Sequence, residues 1–519
     1  MTIAAVPPTE SANLGSKENT AMSSALPAAM SPADCRRIRE VLASANYTEQ
    51  GVCGALGIET FGRLRETKLA AMLWRTRGGS TLETLVRLFV LGQSGDLAAV
   101  TKAIAPMSVA EWTRMGLIEV AGSLATACLY LRCYRDLIFA YDFARRGQGG
   151  LRQDYVMGVS LSSLVLAGMT VRRQNAATLD LGFGSGIQAI LAAPHSERVV
   201  GVDCNPRAVA VACLNANLNG IANIDFREGD MFAPVRGETF DLIVSNPPFI
   251  ISPENRHFFL NSGLEGDEIC RRIIKEAPRF LNEGGYCILN ANWAVIDGED
   301  WRGRLANWFE GTGCHGLVFN QDTRDLGEYA AGLIEAGSNE EAEYTRMFDE
   351  WMAYYAKLRI TGIGQGVIVM RRDTSRANWF AVESAPPNIA YPSGDDVARL
   401  VESRTFLHSL PSERHLLDAH LKLAPNVKLD QVCEAASGTW RAVSGRVRRV
   451  GGLEFSGALD GPSAKALARW DGARPLKECL KELAASLNQD FEAFVPAALP
   501  IIRRLVEQGF LLHEGHSKA

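Results

Sequence analysis

The tetrapeptide Asn246-Pro247-Pro248-Phe249 follows directly on the apolar run FDLIVS. Asn246 carries a carboxamide that both donates and accepts, Pro247 and Pro248 supply no backbone N–H, and Phe249 adds a flat ring. Two prolines disfavour a strand interior, which places the motif where the preceding strand stops. Such a turn can hold a planar nitrogen that bears two N–H bonds. The Asn246 side-chain oxygen accepts one hydrogen and the Pro247 carbonyl the other, Phe249 stacks on the plane, and Pro248 restricts the backbone beside the acceptor. The simpler account is a turn-forming asparagine followed by strand-ending prolines, which explains each feature separately.

A second group of residues lies upstream. LDLGFGSG brings Asp180, Gly182, Gly184 and Gly186 between an apolar run and the helix-like QAILAA. Glycines there let the backbone approach a ligand, and the following helix presents free N–H groups. Asp203 closes the next run, ERVVGVD, where a carboxylate can accept from ribose hydroxyls. Asp230, in REGDMF, can receive an adenine amino group, with Met231 and Cys204 as apolar cover. Dinucleotide binding is the competing pattern, but the loop reads GFGSG rather than GxGxxG, and Asn-Pro-Pro-Phe has no role in hydride transfer. Singly, each aspartate is as good a cap as a ligand contact; three successive strand ends carrying them point to a nucleoside. Farther along, Arg256 and His257 in ENRHFF are candidates for the acceptor entrance, with ordinary loop residues as the alternative. Trp293, in NANWAV, can close the cleft or serve interdomain packing, and Asp267 and Glu268 can orient an acceptor or cap a helix. Asp154, Tyr155 and MGVSLSS can form a lid over the cofactor. No His, Cys or Asp spacing recommends a metal.

From Ala177 to about Leu289 the sequence resembles the class I, Rossmann-like S-adenosylmethionine-dependent methyltransferases whose post-strand motif is Asn-Pro-Pro-Tyr/Phe. It is most similar to the protein-glutamine N5-methyltransferases, with the small-domain ribosomal RNA guanine-N2 methyltransferases next. The resemblance implies that Gly182, Gly184 and Gly186 approach the methionine part of S-adenosyl-L-methionine. It also implies that Asp203 binds ribose, that Asp230 and Met231 flank adenine, and that Asn246 meets the target nitrogen. SGLEGDEICRRI resembles a Gly-Leu/Asp-Gly segment of the glutamine enzymes, and Phe249 stands for their usual tyrosine, keeping the ring without the hydroxyl. The expected function is methyl transfer to a planar amide or exocyclic amine nitrogen, with a protein glutamine as the favoured acceptor. Guanine in RNA, a small metabolite, and a noncatalytic cofactor-binding interaction protein are the alternatives.

These residues need a scaffold, and the chain is long enough for roughly two to four domains. Of its 519 residues 47% are hydrophobic and 22% charged, and the net charge of −5 weighs against holding nucleic acid by bulk electrostatics. Eleven cysteines without a CxxC pair fit a reducing, cytoplasmic setting. No apolar run reaches the roughly 18 residues of a membrane span. Residues 1–30 read as a disordered tail. Residues 31–150 read as a helical N-terminal domain, with Ser31 as N-cap, Pro32 just inside, and TLETLVRLFVLG and SLATACLYLRCYRDLIFAYDF as apolar faces. Residues 151–372 alternate apolar runs with helix-like segments, the pattern of a Rossmann-like, mostly parallel α/β sheet. Its strands are expected at ATLDLG, ERVVGVDC, IDFREGD, FDLIVSN, GYCILNAN, CHGLVFNQ and GVIVMRR. Residues 373–519 read as a C-terminal α/β domain with a winged-helix-like end, a module that binds nucleic acid or protein or dimerises, and Arg446, Arg448 and Arg449 as either a basic cluster or a solvated surface. The pattern specifies no oligomeric state.

Overall fold

Apolar runs flanked by helix-length segments bury both faces when they pair side by side under crossover helices. The computed structural model describes residues 30–143, 152–253, 263–334 and 341–513, and its central region is an eight-stranded sheet. Along the chain the strands are β1 Asn175–Leu181, β2 Ser196–Asp203, β3 Ile224–Glu228, β4 Phe240–Ser245, β5 Leu281–Ile296, β6 Cys314–Arg324, β7 Ile360–Arg372 and β8 Phe380–Ser384. Their order across the sheet is β8-β6-β7-β5-β4-β1-β2-β3. All seven runs expected as strands are strands. The pairs β1–β2, β1–β4, β2–β3, β4–β5 and β6–β8 are parallel, whereas β7 runs antiparallel to β5 and β6. Strand β8 lies beyond Arg372, where the sequence pattern ends the sheet. Its apolar run is only Phe380, Ala381 and Val382, all half-buried, and its one buried residue is a glutamate, Glu383, so FAVES is too short an apolar run to read as a strand.

The order turns back between β1 and β4, and in open α/β sheets a crevice opens at such a point, beyond the carboxyl ends of the strands. That places the Gly182–Gly186 turn after β1 beside the Asn246 turn after β4. The helix Pro206–Leu218 behind β2 starts as its sequence dictates: Asn205 caps it by accepting from the Arg207 N–H at 3.0 Å, and Pro206 occupies the first turn.

Helices make up most of the chain from Pro32 to Arg114, broken by the two-residue strand Gly95–Asp96, and Ser31 is the N-cap of the first. The stretch SLATACLYLRCYRDLIFAYDF, expected to be helical, instead folds as strands Leu124–Ala127, Tyr130–Tyr134 and Leu137–Tyr141. Tyr134 pairs with Leu137 across a two-residue turn in which Arg135 has φ +55°, the geometry of a tight hairpin. Aromatic and apolar residues there reflect the pleat of half-buried strands, and their density imitates a helical face. The second strand of this hairpin is fastened to the Pro206–Leu218 helix. Asn219 and Asn215, four residues apart, pair their carboxamides with the backbone of Ile138 and Ala140: Asn215 Oδ1 accepts from the Ala140 N–H at 2.7 Å and Nδ2 donates to its carbonyl at 2.9 Å. Two side chains thus satisfy a strand edge as a neighbouring strand would.

After β8 come the helix Gly394–Ser409, a hairpin of Val427–Ala436 with Thr439–Arg449, and three helices, Gly461–Leu467, Leu476–Ser486 and Phe491–Glu507. A three-stranded antiparallel sheet of Asp471–Pro475, His420–Leu423 and Leu511–His513 packs with these helices. The arginines at 446, 448 and 449 do not form one basic patch. Arg449 is wholly buried and paired with Asp396 at 2.6 Å, Arg448 pairs with Asp430 at 2.6 Å, and Arg446 donates to Ser456 Oγ at 2.9 Å. Among the described residues no helix is long and apolar enough to cross a membrane. The expected tail falls outside the described residues, apart from Met30.

Candidate active site

Strands β1 and β4 run in parallel register with Leu181 opposite Ser245, so the turns that follow them emerge side by side. Ser245 Oγ donates to the Leu181 carbonyl at 2.7 Å and ties the two strand ends together. Between the turns lies a cleft of about 380 Å³. Asp180, Gly182, Gly184, Asp203, Cys204, Asp230, Met231, Asn246, Pro247 and Pro248 all face it.

Gly182 and Gly184 have φ of +73° and +54°. A Cβ on Gly182 would find only the Pro247 Cα, at 4.0 Å, and one on Gly184 only the Met157 carbonyl oxygen, at 3.8 Å. Side chains there would take up cleft space. Gly186 serves another purpose. It is absent from the cleft wall, and a Cβ on it would meet Ala212 Cβ at 3.1 Å and Phe226 Cζ at 3.2 Å. Its missing side chain lets the turn pack against the next helix and strand.

Two carboxylates, the buried Asp180 and the half-buried Asp203, brace the glycine turn from below. Asp203 Oδ2 accepts from the Gly184 N–H at 2.8 Å and Oδ1 from the Asn205 N–H at 2.9 Å, while burial raises its pKa. Asp180 Oδ2 accepts from the Ala189 N–H at 2.8 Å, and its Oδ1 has no partner. Burial, assisted by the charge of Asp203, lifts the Asp180 carboxyl from its ordinary 3.8 to about 7. A carboxyl whose folded pKa is raised holds its proton in the folded state longer than in the unfolded chain. Its stabilising effect is complete below about 4 and is lost as pH rises through about 7. Asp180→Asn keeps an acceptor for Ala189 and cannot ionise. Its melting temperature, relative to the wild type, is therefore expected to rise between pH 5 and pH 8. A difference that stays constant over that range would show that Asp180 does not titrate there.

At the opposite wall, Asn246 is half-buried, and its Oδ1 accepts from Asn290 Nδ2 at 2.7 Å. The Pro247 carbonyl accepts from the Phe249 N–H at 2.8 Å, which closes the turn and leaves that oxygen one lone pair. Phe249 itself is half-buried against the core cluster that includes Trp293 and the Glu268–Glu276 helix, and is not on the cleft wall. Trp293, expected either to close the cleft or to serve interdomain packing, is wholly buried in β5 and stacks on Trp301 at 5.6 Å between ring centres. Its position in the strand points it into the sheet's packed face. Asp230 is 76% exposed at the mouth, 4.0 Å from Arg272 Nη2. Asp267 neither caps a helix with its side chain nor reaches the cleft: it is buried in a double hydrogen bond to Arg304, at 2.6 and 2.7 Å, and accepts from the Ala294 N–H. Glu268 pairs with Arg271 at 2.6 Å on the surface. Arg256 and His257 lie outside the described residues.

Tyr155 to Gly158, expected as a lid, line the cleft. Ser163, the last residue of the expected lid segment, shares a wall with Gln188, whose Nε2 donates to the Ser163 carbonyl at 2.8 Å. Gln188 and Asn205 were not singled out from sequence; Asn205 donates to the Asp154 carbonyl at 3.0 Å. The Asn-Pro step at 205 and 206 is a helix-start signal and is what could have drawn attention to Asn205. The chain after the motif is held by two tyrosines from the helices Leu326–Ile334 and Glu341–Lys357. Tyr329 Oη accepts from the Ile251 N–H at 3.2 Å and Tyr355 Oη donates to the Ile251 carbonyl at 2.8 Å.

Residues 160–296 match the family model described as Methyltransferase small domain. Residues 44–128 and 399–513 match two domains of unknown function, DUF7059 and DUF7782. The release factor glutamine methyltransferase of Geobacter sulfurreducens is 41% identical over 174 residues, covering 31% of this chain and 58% of that protein. The ribosomal protein uL3 glutamine methyltransferase of Bradyrhizobium diazoefficiens is 36% identical over 163 residues, covering 28% of this chain and 51% of that protein. The chain thus spans between half and two thirds of the length of these curated relatives. The central region is related to the class I S-adenosylmethionine-dependent methyltransferases of the protein-glutamine branch.

Proposed function

We propose that this chain transfers the methyl group of S-adenosylmethionine to a planar, hydrogen-bearing nitrogen, and that the acceptor is a glutamine side chain in a protein. The observation that carries the reading is the Asn246 carboxamide at the C-terminal end of β4, on the wall of the cleft that the Gly182–Gly184 turn opens.

The residues on the other side of the cleft fit the cofactor. Asp180 Oδ1 is buried without a partner, and a cationic amino acid moiety supplies one. The Gly182 and Gly184 turn leaves room that a Cβ would occupy. Asp203 keeps lone pairs for ribose hydroxyls, and Asp230 with Met231 suits the adenine edge at the mouth. When bound, the cofactor supplies an electrophilic methyl group on a positively charged sulfur.

An amide nitrogen is a poor nucleophile because its lone pair is delocalised, so orientation is the main help the chain can give. Asn246 Oδ1 accepts one N–H of the acceptor, and the remaining lone pair of the Pro247 carbonyl accepts the other. Held in both directions, the nitrogen turns the face of its π system toward the methyl group. As the N–C bond forms and the methyl–sulfur bond breaks, its electron pair staying on sulfur, the nitrogen would become positive, and the same two oxygens would stabilise it until one N–H proton leaves to water. Phe249 anchors the turn in the core beneath.

Support for glutamine comes from the GLEGD segment at 263–267 and from what the matched relatives are named to act on. The test is transfer of labelled methyl from S-adenosylmethionine into an extract of cells lacking this chain. The label is expected to be protease-sensitive and to yield N5-methylglutamine on digestion. Nuclease-sensitive label would replace the acceptor with RNA, and acid-soluble label with a metabolite. Cofactor binding without any transfer would make the chain a scaffold.

A further inference from the structure

We propose that Asn290 is a positioning residue that fixes which atom of the Asn246 carboxamide faces the acceptor; this rests on the reading of Asn246 given above. Asn290 lies in β5 among Ile288, Leu289 and Ala291 and is only 6% exposed. A carboxamide in an apolar strand destabilises the fold unless its hydrogen bonds are made. Here both amino hydrogens are used: Nδ2 donates to the Ser162 carbonyl at 2.9 Å and to Asn246 Oδ1 at 2.7 Å.

The order of those bonds settles the orientation of both side chains. A backbone carbonyl only accepts, so the Asn290 atom facing Ser162 is the nitrogen. The Asn246 atom facing that nitrogen must then be the oxygen. Without Asn290, the terminal torsion of Asn246 is free to turn by about half a revolution, since amide torsions of this kind have two comparable wells. The turned form sets an amino group against the N–H bonds of the acceptor. The backbone of the Leu161–Met169 helix therefore specifies, through one side chain, that an acceptor oxygen is offered at the end of β4.

The same strand secures the other end of the motif. Asn292, two residues along and on the same face, donates to Tyr329 Oη at 2.8 Å, and that oxygen accepts from the Ile251 N–H. One strand thus registers the turn at Asn246 and, through a tyrosine, at Ile251.

The experiment is a mutant cycle read by transfer of labelled methyl from S-adenosylmethionine into extract lacking the chain, with cofactor affinity measured in parallel by calorimetry. Asn290→Leu is expected to lower transfer about tenfold, as loss of one orienting hydrogen bond would. Its cofactor affinity should stay within about twofold. Asn290→Ser, which leaves a cavity but keeps a donor, is expected to transfer faster than Asn290→Leu. A packing role predicts the reverse order, because leucine keeps the branched, four-heavy-atom shape of asparagine and fills the site whereas serine leaves a cavity, and that result would overturn the proposal even if one variant is less stable. In the Asn246→Ala background, Asn290→Leu is expected to change transfer by less than about twofold. Losses that multiply would also overturn it. Should Asn290→Leu transfer at the wild-type rate while Asn246→Ala is impaired, Asn290 alone is misassigned; wild-type transfer by Asn246→Ala would instead remove the reading of Asn246 itself.

Discussion

Asn246→Ala is expected to bind S-adenosylmethionine almost as tightly as the wild type and to transfer methyl groups about 30- to 1,000-fold more slowly. The range corresponds to losing about 2 to 4 kcal/mol of transition-state stabilisation, the worth of one oriented contact to developing charge. The split between binding and turnover follows from where the contacts lie. The groups suited to the cofactor, Asp180, Asp203 and the Gly182–Gly184 turn, belong to β1 and β2, whereas Asn246 hangs from β4. The alanine variant leaves Asn290 Nδ2 with the Ser162 carbonyl as its remaining partner and opens little space, since Asn246 is half-buried. Calorimetry and a labelled-methyl assay on the same preparation decide it. A parallel fall in affinity and turnover would make Asn246 a support for the cofactor loop and end its role toward the acceptor.

Most of the cleft wall around the Gly182–Gly184 turn was legible because it is local. Strand, glycine turn and helix follow one another within LDLGFGSGIQAILAA, and Asp203 and Asp230 each close a run that reads as a strand without help from the rest of the chain. What was not legible depends on which face a residue turns to, and this is decided by distant partners. Gly182 and Gly186 look alike in the motif, but Gly186 meets Ala212 and Phe226 from elements that follow it by many residues. Trp293 and Asn290 share β5, and only the pairing of that strand shows that one is sealed in the core and the other reaches Asn246. Two asparagines inside GYCILNANWAV were a usable signal, because buried carboxamides persist in a strand interior only when partnered. The hairpin at Tyr130–Tyr141 escaped for a different reason: its aromatic density satisfied a helical template, and its turn, Arg135-Asp136, lacks the glycine or asparagine that usually marks such a connection.

Asp142→Ala is expected to destabilise the protein by about 3 to 5 kcal/mol and to weaken cofactor binding with it. Asp142 follows the Leu137–Tyr141 strand and forms a salt bridge with Arg207, the two side chains being 8% and 7% exposed. Arg207 donates from Nη2 to Asp142 Oδ1 at 2.6 Å and from Nε to Oδ2 at 2.9 Å, and the same Oδ2 accepts from the Val156 N–H at 2.9 Å. Removing the carboxylate takes the charged partner of Nε and Nη2 away from a buried guanidinium, which is the costly way to break a buried pair. It also frees Val156, whose neighbours Met157 and Gly158 complete the cleft wall. The two consequences separate in a double variant. Asp142→Leu with Arg207→Met removes both charges, so its urea midpoint should return to near or above the wild-type value. The Val156 N–H still lacks its acceptor there, and cofactor affinity should stay low. Recovery of both properties would mean that the pair affects the cleft only through global stability. Recovery of stability alone would show that the N-terminal region shapes the cofactor site through Asp142.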